Sequence, residues 1–132
     1  GCRRFPATEL KVELRNKTGV FSCQWHEVYT VDYNKKGFAF VTHEAYEEGQ
    51  ALVFRITLLM EMGTIEVDNV RAVTRNHYPE VEHTDHGNKR IGVAFDYQAN
   101  RHMKSLDTQS NLGRIEGILE RSENLRLKLS AQ

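Results

Sequence analysis

Cysteine is scarce in this chain, charge of either sign is not in excess, and no long apolar run occurs. The two cysteines, Cys2 and Cys23, cannot build the framework of bridges that holds small secreted domains together, so both read as reduced thiols. Lys and Arg total 18, Asp and Glu also total 18, and the formal net charge is +0. A neutral chain has no long-range pull towards DNA, RNA or an anionic membrane, so any anion site must be local. No stretch approaches the roughly 20 apolar residues that cross a bilayer. No signal-peptide pattern opens the sequence. These absences lead us to expect a cytoplasmic protein with no membrane insertion and no nucleic-acid partner. Gly1 need not be the natural start, and residues upstream of it would then belong to the protein.

What is present suits a single folded unit. The chain has 132 residues, 39% hydrophobic and 27% charged, which is ordinary globular composition and is long enough to bury about two thirds of its unfolded surface. Leu10, Val12 and Leu14 alternate with Glu9, Lys11, Glu13 and Arg15, the period of a half-buried strand. Asn16 to Gly19 reads as a turn and Val20 to Val31 as a second strand, β-branched or aromatic from Val28 onward, which implies burial on both faces or a bulge. Further strands are expected from Phe38 to Thr42, from Leu52 to Leu59, from Ile65 to Val73 after a turn at Met62-Gly63-Thr64, and from Ile91 to Phe95. About six short antiparallel strands imply a small barrel or sandwich.

Near residue 98 the strand pattern stops. Leu112, Ile115, Ile118, Leu119, Leu125 and Leu129 fall on one side of an ideal helix, within an arc of roughly 140°. Met103 and Leu106 point elsewhere on that wheel. Ser110-Asn111 suits a helix start, and Gly113 and Gly117 each weaken a helix by about 1 kcal/mol. The expectation is one helix near 99–109, a break, and a second near 112–128. Residues 1–98 then form a barrel with a basic N-terminal segment, and 99–132 a helical extension. The apolar stripe either docks on the barrel or serves self-association.

One stretch asks for more than a turn. Asp32-Tyr33-Asn34-Lys35-Lys36-Gly37 separates two strand-like runs, and a hairpin needs far less polar chemistry than this. Asp32 and Asn34 suit an Asx turn, with Gly37 at a bulge. Other segments stand in order around it: Cys2-Arg3-Arg4-Phe5-Pro6 before the first strand, Phe38-Ala39-Phe40 after the hexapeptide, Glu48-Gly49-Gln50-Ala51-Leu52, and Ile91-Gly92-Val93-Ala94-Phe95 before the helices. Over residues 3 to 108 this series resembles a PilZ domain, the bacterial receptor module for cyclic di-GMP. The resemblance implies a mainly β fold, a six-stranded antiparallel PilZ-like β-barrel followed by C-terminal α-helix. It also implies two ligand motifs. Asp32, Asn34 and Gly37 occupy an (Asp/Asn)-x-Ser-x-x-Gly pattern, with Asn where Ser is usual. Arg3 and Arg4 supply only half of an Arg-x-x-x-Arg pattern. If Arg4 is the second arginine, its partner would precede Gly1; if Arg3 is the first, the partner position holds Ala7.

These residue types suit a guanine dinucleotide. A guanidinium meets guanine O6 and N7 bidentately and also pairs with phosphodiesters. A carboxylate accepts from the N1–H and N2–H edge, and Asn keeps a hydrogen-bonding oxygen while adding donors. Lys35 and Lys36 add charge nearby. His77, His83 and His86 share a polar segment with Glu80, Glu82 and Asp85, but no cysteine and no rigid element favours zinc there. No nucleophile elbow, phosphate loop or paired catalytic motif occurs. The chain therefore reads as a binding module, not an enzyme, with cyclic di-GMP as ligand, no cofactor, and an unidentified protein partner or a homo-oligomer formed through the helices. Ligand would order the basic segment against the barrel and re-aim a surface shown to that partner. The alternative is a degenerate PilZ domain that binds no nucleotide and acts as an interaction adaptor.

Overall fold

A computed structural model of the chain describes residues 8–17, 23–77 and 85–130. Six strands, β1 (Glu9–Lys17), β2 (Cys23–Asn34), β3 (Gly37–Thr42), β4 (Ala51–Met60), β5 (Gly63–His77) and β6 (Lys89–Phe95), precede two helices, α1 (Arg101–Lys104) and α2 (Leu106–Ser130). The strands close into an antiparallel barrel in the order β1-β2-β3-β6-β5-β4, with β4 returning to β1. Closure leaves no edge strand, and a small barrel fills its interior with side chains. The mainly β class, the six strands and the helical end match the expectation from sequence.

Alternation places Val12, Leu14, Phe38, Phe40, Phe54, Ile56, Leu58, Val70, Ile91, Val93 and Phe95 in one core. Phe38 meets Phe54 edge-on at 4.9 Å between ring centroids, and Phe54 lies 6.0 Å from Phe40, both within the favoured range for aromatic pairs. Met103, Leu112 and Ile115 belong to the same core. The end of the strands near residue 98 therefore divides the chain but not the packing. The apolar stripe docks on the barrel over its described first half. The side chains of Leu125 and Leu129 lie outside the described residues.

Three local expectations are corrected. The helical break comes at Ser105, not at Ser110-Asn111. Ser105 is extended, and its Oγ accepts from Thr108 N at 3.1 Å, capping α2; Asn100 Oδ1 caps α1 by accepting from Met103 N at 2.8 Å. Gly113 and Gly117 stay inside α2 because burying Leu112 and Ile115 gives about 1.5–3 kcal/mol each, more than the glycines cost. Met103 is fully buried although it lies off the wheel of α2, because it belongs to the separate helix α1.

The second correction concerns the hexapeptide. β2 continues through it to Asn34, which pairs with Gly37, so the hairpin loop is only Lys35-Lys36. A β-bulge between Val31 and Asn34 absorbs the extra residue and turns Tyr33 onto the core. There its ring lies 6.3 Å from Phe38 and its hydroxyl donates to Leu112 O at 3.0 Å. Third, the polar segment that holds His77, His83 and His86 begins inside a strand, since β5 reaches His77, and β6 starts at Lys89. His83, with Glu80 and Glu82, lies outside the described residues.

Candidate functional site

On β3 and β6 the residues between the core positions face away from the barrel interior. Gly37 pairs with Ala94, Ala39 with Gly92, and Val41 with Arg90. Two glycines and two alanines thus form a low floor on the outer wall. Around them Asp32, Asn34, Lys36, Arg75 and Arg90 complete a concavity of about 270 Å³. Glycine within a strand often marks a close approach of ligand or backbone.

Two bulges shape the rim. The one in β2 holds Asp32 at a φ of 53°, a left-handed conformation uncommon for a residue with a side chain and found in tight or functional positions. The Asp32 carboxylate pairs with the Arg90 guanidinium through Oδ2 and Nη2. The second bulge lies in β5, where Thr74 pairs with Val93 and Asn76 with Gly92. Arg75 is the additional residue between them and is exposed at the level of the floor. Bulges commonly re-aim side chains beside active sites.

The hairpin is tied down on both sides. Asn34 Oδ1 accepts from Lys36 N at 2.7 Å, closing an Asx turn. Phe95 N donates to Lys36 O at 2.9 Å, and the Tyr97 hydroxyl donates to Lys35 O. Burial raises the Tyr33 hydroxyl well above the usual phenol range, with a smaller push from Tyr97 and Glu116. Tyr33 is therefore a neutral donor to α2 at any ordinary pH. Gly37 has a packing reason of its own: a Cβ there would stand 2.0 Å from Val93 O, a distance no contact tolerates.

The structure thus brings Asp32, Asn34 and Gly37 together. Arg3 and Arg4 lie outside the described residues. Lys36 lines the concavity, as the sequence suggested in general terms. Arg75 and Arg90 were not anticipated. Arg90 had a weak signal in the sequence, because a strand whose outward positions are Gly92 and Ala94 leaves room for something else on that face. Arg75 had none, because a bulge in β5 leaves no local mark. Beyond the rim, Tyr29 is exposed and stacks on His86 with ring centroids 4.1 Å apart. No group of His, Cys, Asp and Glu suited to a metal ion occurs among the described residues. No helix among them is long and apolar enough to cross a membrane.

No protein-family model matches the chain, and no curated protein matches it either.

Proposed function

We propose that the outer wall of β2, β3, β6 and β5 binds a guanine dinucleotide, cyclic di-GMP, and that the chain is a PilZ-type receptor module with a binding role and no catalysis. The observation that carries this reading is a concavity that Asp32, Asn34 and Gly37 share with Lys36, Arg75 and Arg90. Its volume, about 270 Å³, is just below the roughly 300–1,000 Å³ of ligand sites and suits one half of a dinucleotide, with the other half held outside it. A contribution from Arg3 and Arg4 is carried by the resemblance of the sequence alone, since both lie outside the described residues.

Calorimetric titration of the protein, with any residues that naturally precede Gly1, tests the reading. Saturable heat is expected, with at least tenfold weaker binding for Asp32→Ala. The absence of heat at millimolar cyclic di-GMP would sink the receptor reading. It would favour a degenerate domain of the same family, acting as an adaptor for a protein partner. That second reading draws on the pairing of Asp32 with Arg90 and the use of Asn34 Oδ1 in its own turn, which satisfy the motif without a ligand. Its interaction surface would be probed at Leu106, which is 78% exposed, since Ile115 is core and its substitution would unfold the protein.

A further inference from the structure

Among the described residues the charge on this wall is out of balance. Lys36, Arg75 and Arg90 line the concavity with one carboxylate, Asp32, in a chain whose formal net charge is +0. Asp32 is paired with Arg90, so the surplus rests on Arg75 and Lys36. Arg75 forms no ion pair among the described residues. Like charges gathered on a non-conducting surface raise the local potential, and an anion relieves it.

We propose that Arg75 is the phosphate-binding cation of this wall, set there by the bulge in β5. The inference rests on the dinucleotide reading above. It divides the labour within it: Asp32 and Arg90, already paired, face the base, and Arg75 with Lys36 takes a phosphodiester. The floor is what makes the division workable. Gly92, opposite the bulge, and Ala39, its partner on β3, carry little or no side chain and keep the sheet low beneath Arg75. A phosphodiester can then lie close to the backbone while a guanidinium closes on it from the side with two parallel N–H donors. A regular β5 would lack this extra residue between the partners of Val93 and Gly92. The wall would then carry a cationic charge without the cation that answers the phosphate. The N-terminal arginines, incomplete as a motif, would add to a phosphate contact that the barrel already supplies.

The test is a titration of the full chain with cyclic di-GMP at low and high salt, comparing the unmodified protein with Arg75→Ala, Arg75→Lys and Lys104→Ala. The last removes one exposed cation from α1, far along the chain from the wall, and controls for net charge. Thermal melting of each variant verifies that the barrel is intact. Arg75→Ala is expected to bind roughly ten- to a hundredfold more weakly and with a smaller salt dependence. Arg75→Lys should recover part of the loss, and Lys104→Ala should stay within about twofold. If Arg75→Ala stays within about twofold, or if Lys104→Ala weakens binding equally, the role of Arg75 is refuted and the dinucleotide reading stands. If the unmodified protein does not bind even with any residues that naturally precede Gly1, both fall together.

Discussion

Two outer walls of one barrel treat charge in opposite ways. On β1 and β4, Glu13 lies opposite Arg55 in the register, and Arg55 donates to both carboxylate oxygens, each at 2.9 Å. The Arg55 guanidinium carbon sits 4.7 Å from the centroid of the Trp25 ring, and Glu66 lies 3.8 Å away. Long side chains cover this wall, and they answer one another. On β3 and β6 the side chains are small, the rim carries more cations than anions, and the backbone bends at two bulges. A wall that satisfies its own charges is built for stability. A low floor with surplus charge among the described residues at its edge suits the ligand proposed above. The same fold supports both because strand alternation decides only which residues face outward, not how large or how charged they are.

The comparison breaks most sharply at Gly37. Alanine there would force a Cβ to 2.0 Å from Val93 O, so β3 and β6 must part. Gly37→Ala is expected to destabilise the barrel by roughly 3 kcal/mol, read as a lower midpoint in urea, whether or not ligand is present. A loss below about 0.5 kcal/mol would show that the strands approach less closely than described, and the floor would lose its depth. The next effect is on binding alone. Ala94→Leu, opposite Gly37 on the floor, fills the concavity without altering a charge. It should weaken cyclic di-GMP binding by at least tenfold, about 1.4 kcal/mol, while unfolding free energy changes by less than about 1 kcal/mol. Unaltered affinity would mean that the small-residue floor is not where ligand lies.

How much of this was legible in the sequence depends on the range of the interactions involved. Alternating residues such as Leu52, Phe54, Ile56 and Leu58 announce a strand because period and burial are local properties, and the barrel class follows from counting such runs. The hexapeptide was legible as a place of interest but only in part as a shape. The Asx turn at Asn34 was legible, but the continuation of β2 through Tyr33 was not, because Tyr33 finds an apolar niche against Phe38 and Phe95, a gain only the folded barrel can offer. The helical break was misplaced for a similar reason: Gly113 and Gly117 look like breakers until the burial of Leu112 and Ile115 is weighed against them. Asp32, Asn34 and Gly37 were found because they lie close together in the chain. Arg75 and Arg90 reach the same concavity from β5 and β6, and only barrel closure and a register shift bring them there.

The smallest expected effect probes the opposite wall. Hydrogen bonds from Arg55 hold the Glu13 carboxyl below its ordinary value of 4.5, against an opposing push from burial. A carboxylate whose folded value is depressed contributes stability above its unfolded value and loses it as pH falls through the folded one. The Glu13–Arg55 pair should therefore support the barrel fully at pH 7 and fade as the solution is acidified below about 4.5. Replacing both partners, as in Glu13→Gln with Arg55→Met, should remove about 1 kcal/mol at pH 7 and flatten this part of the acid dependence, measured by urea unfolding at several pH values. Cyclic di-GMP affinity at pH 7 should change by less than about twofold, because this ion pair lies on β1 and β4, away from the floor. An acid profile identical to that of the unmodified protein would show that the pair is not what responds to pH. A large change in affinity would show that the two walls are not the independent surfaces their side chains suggest.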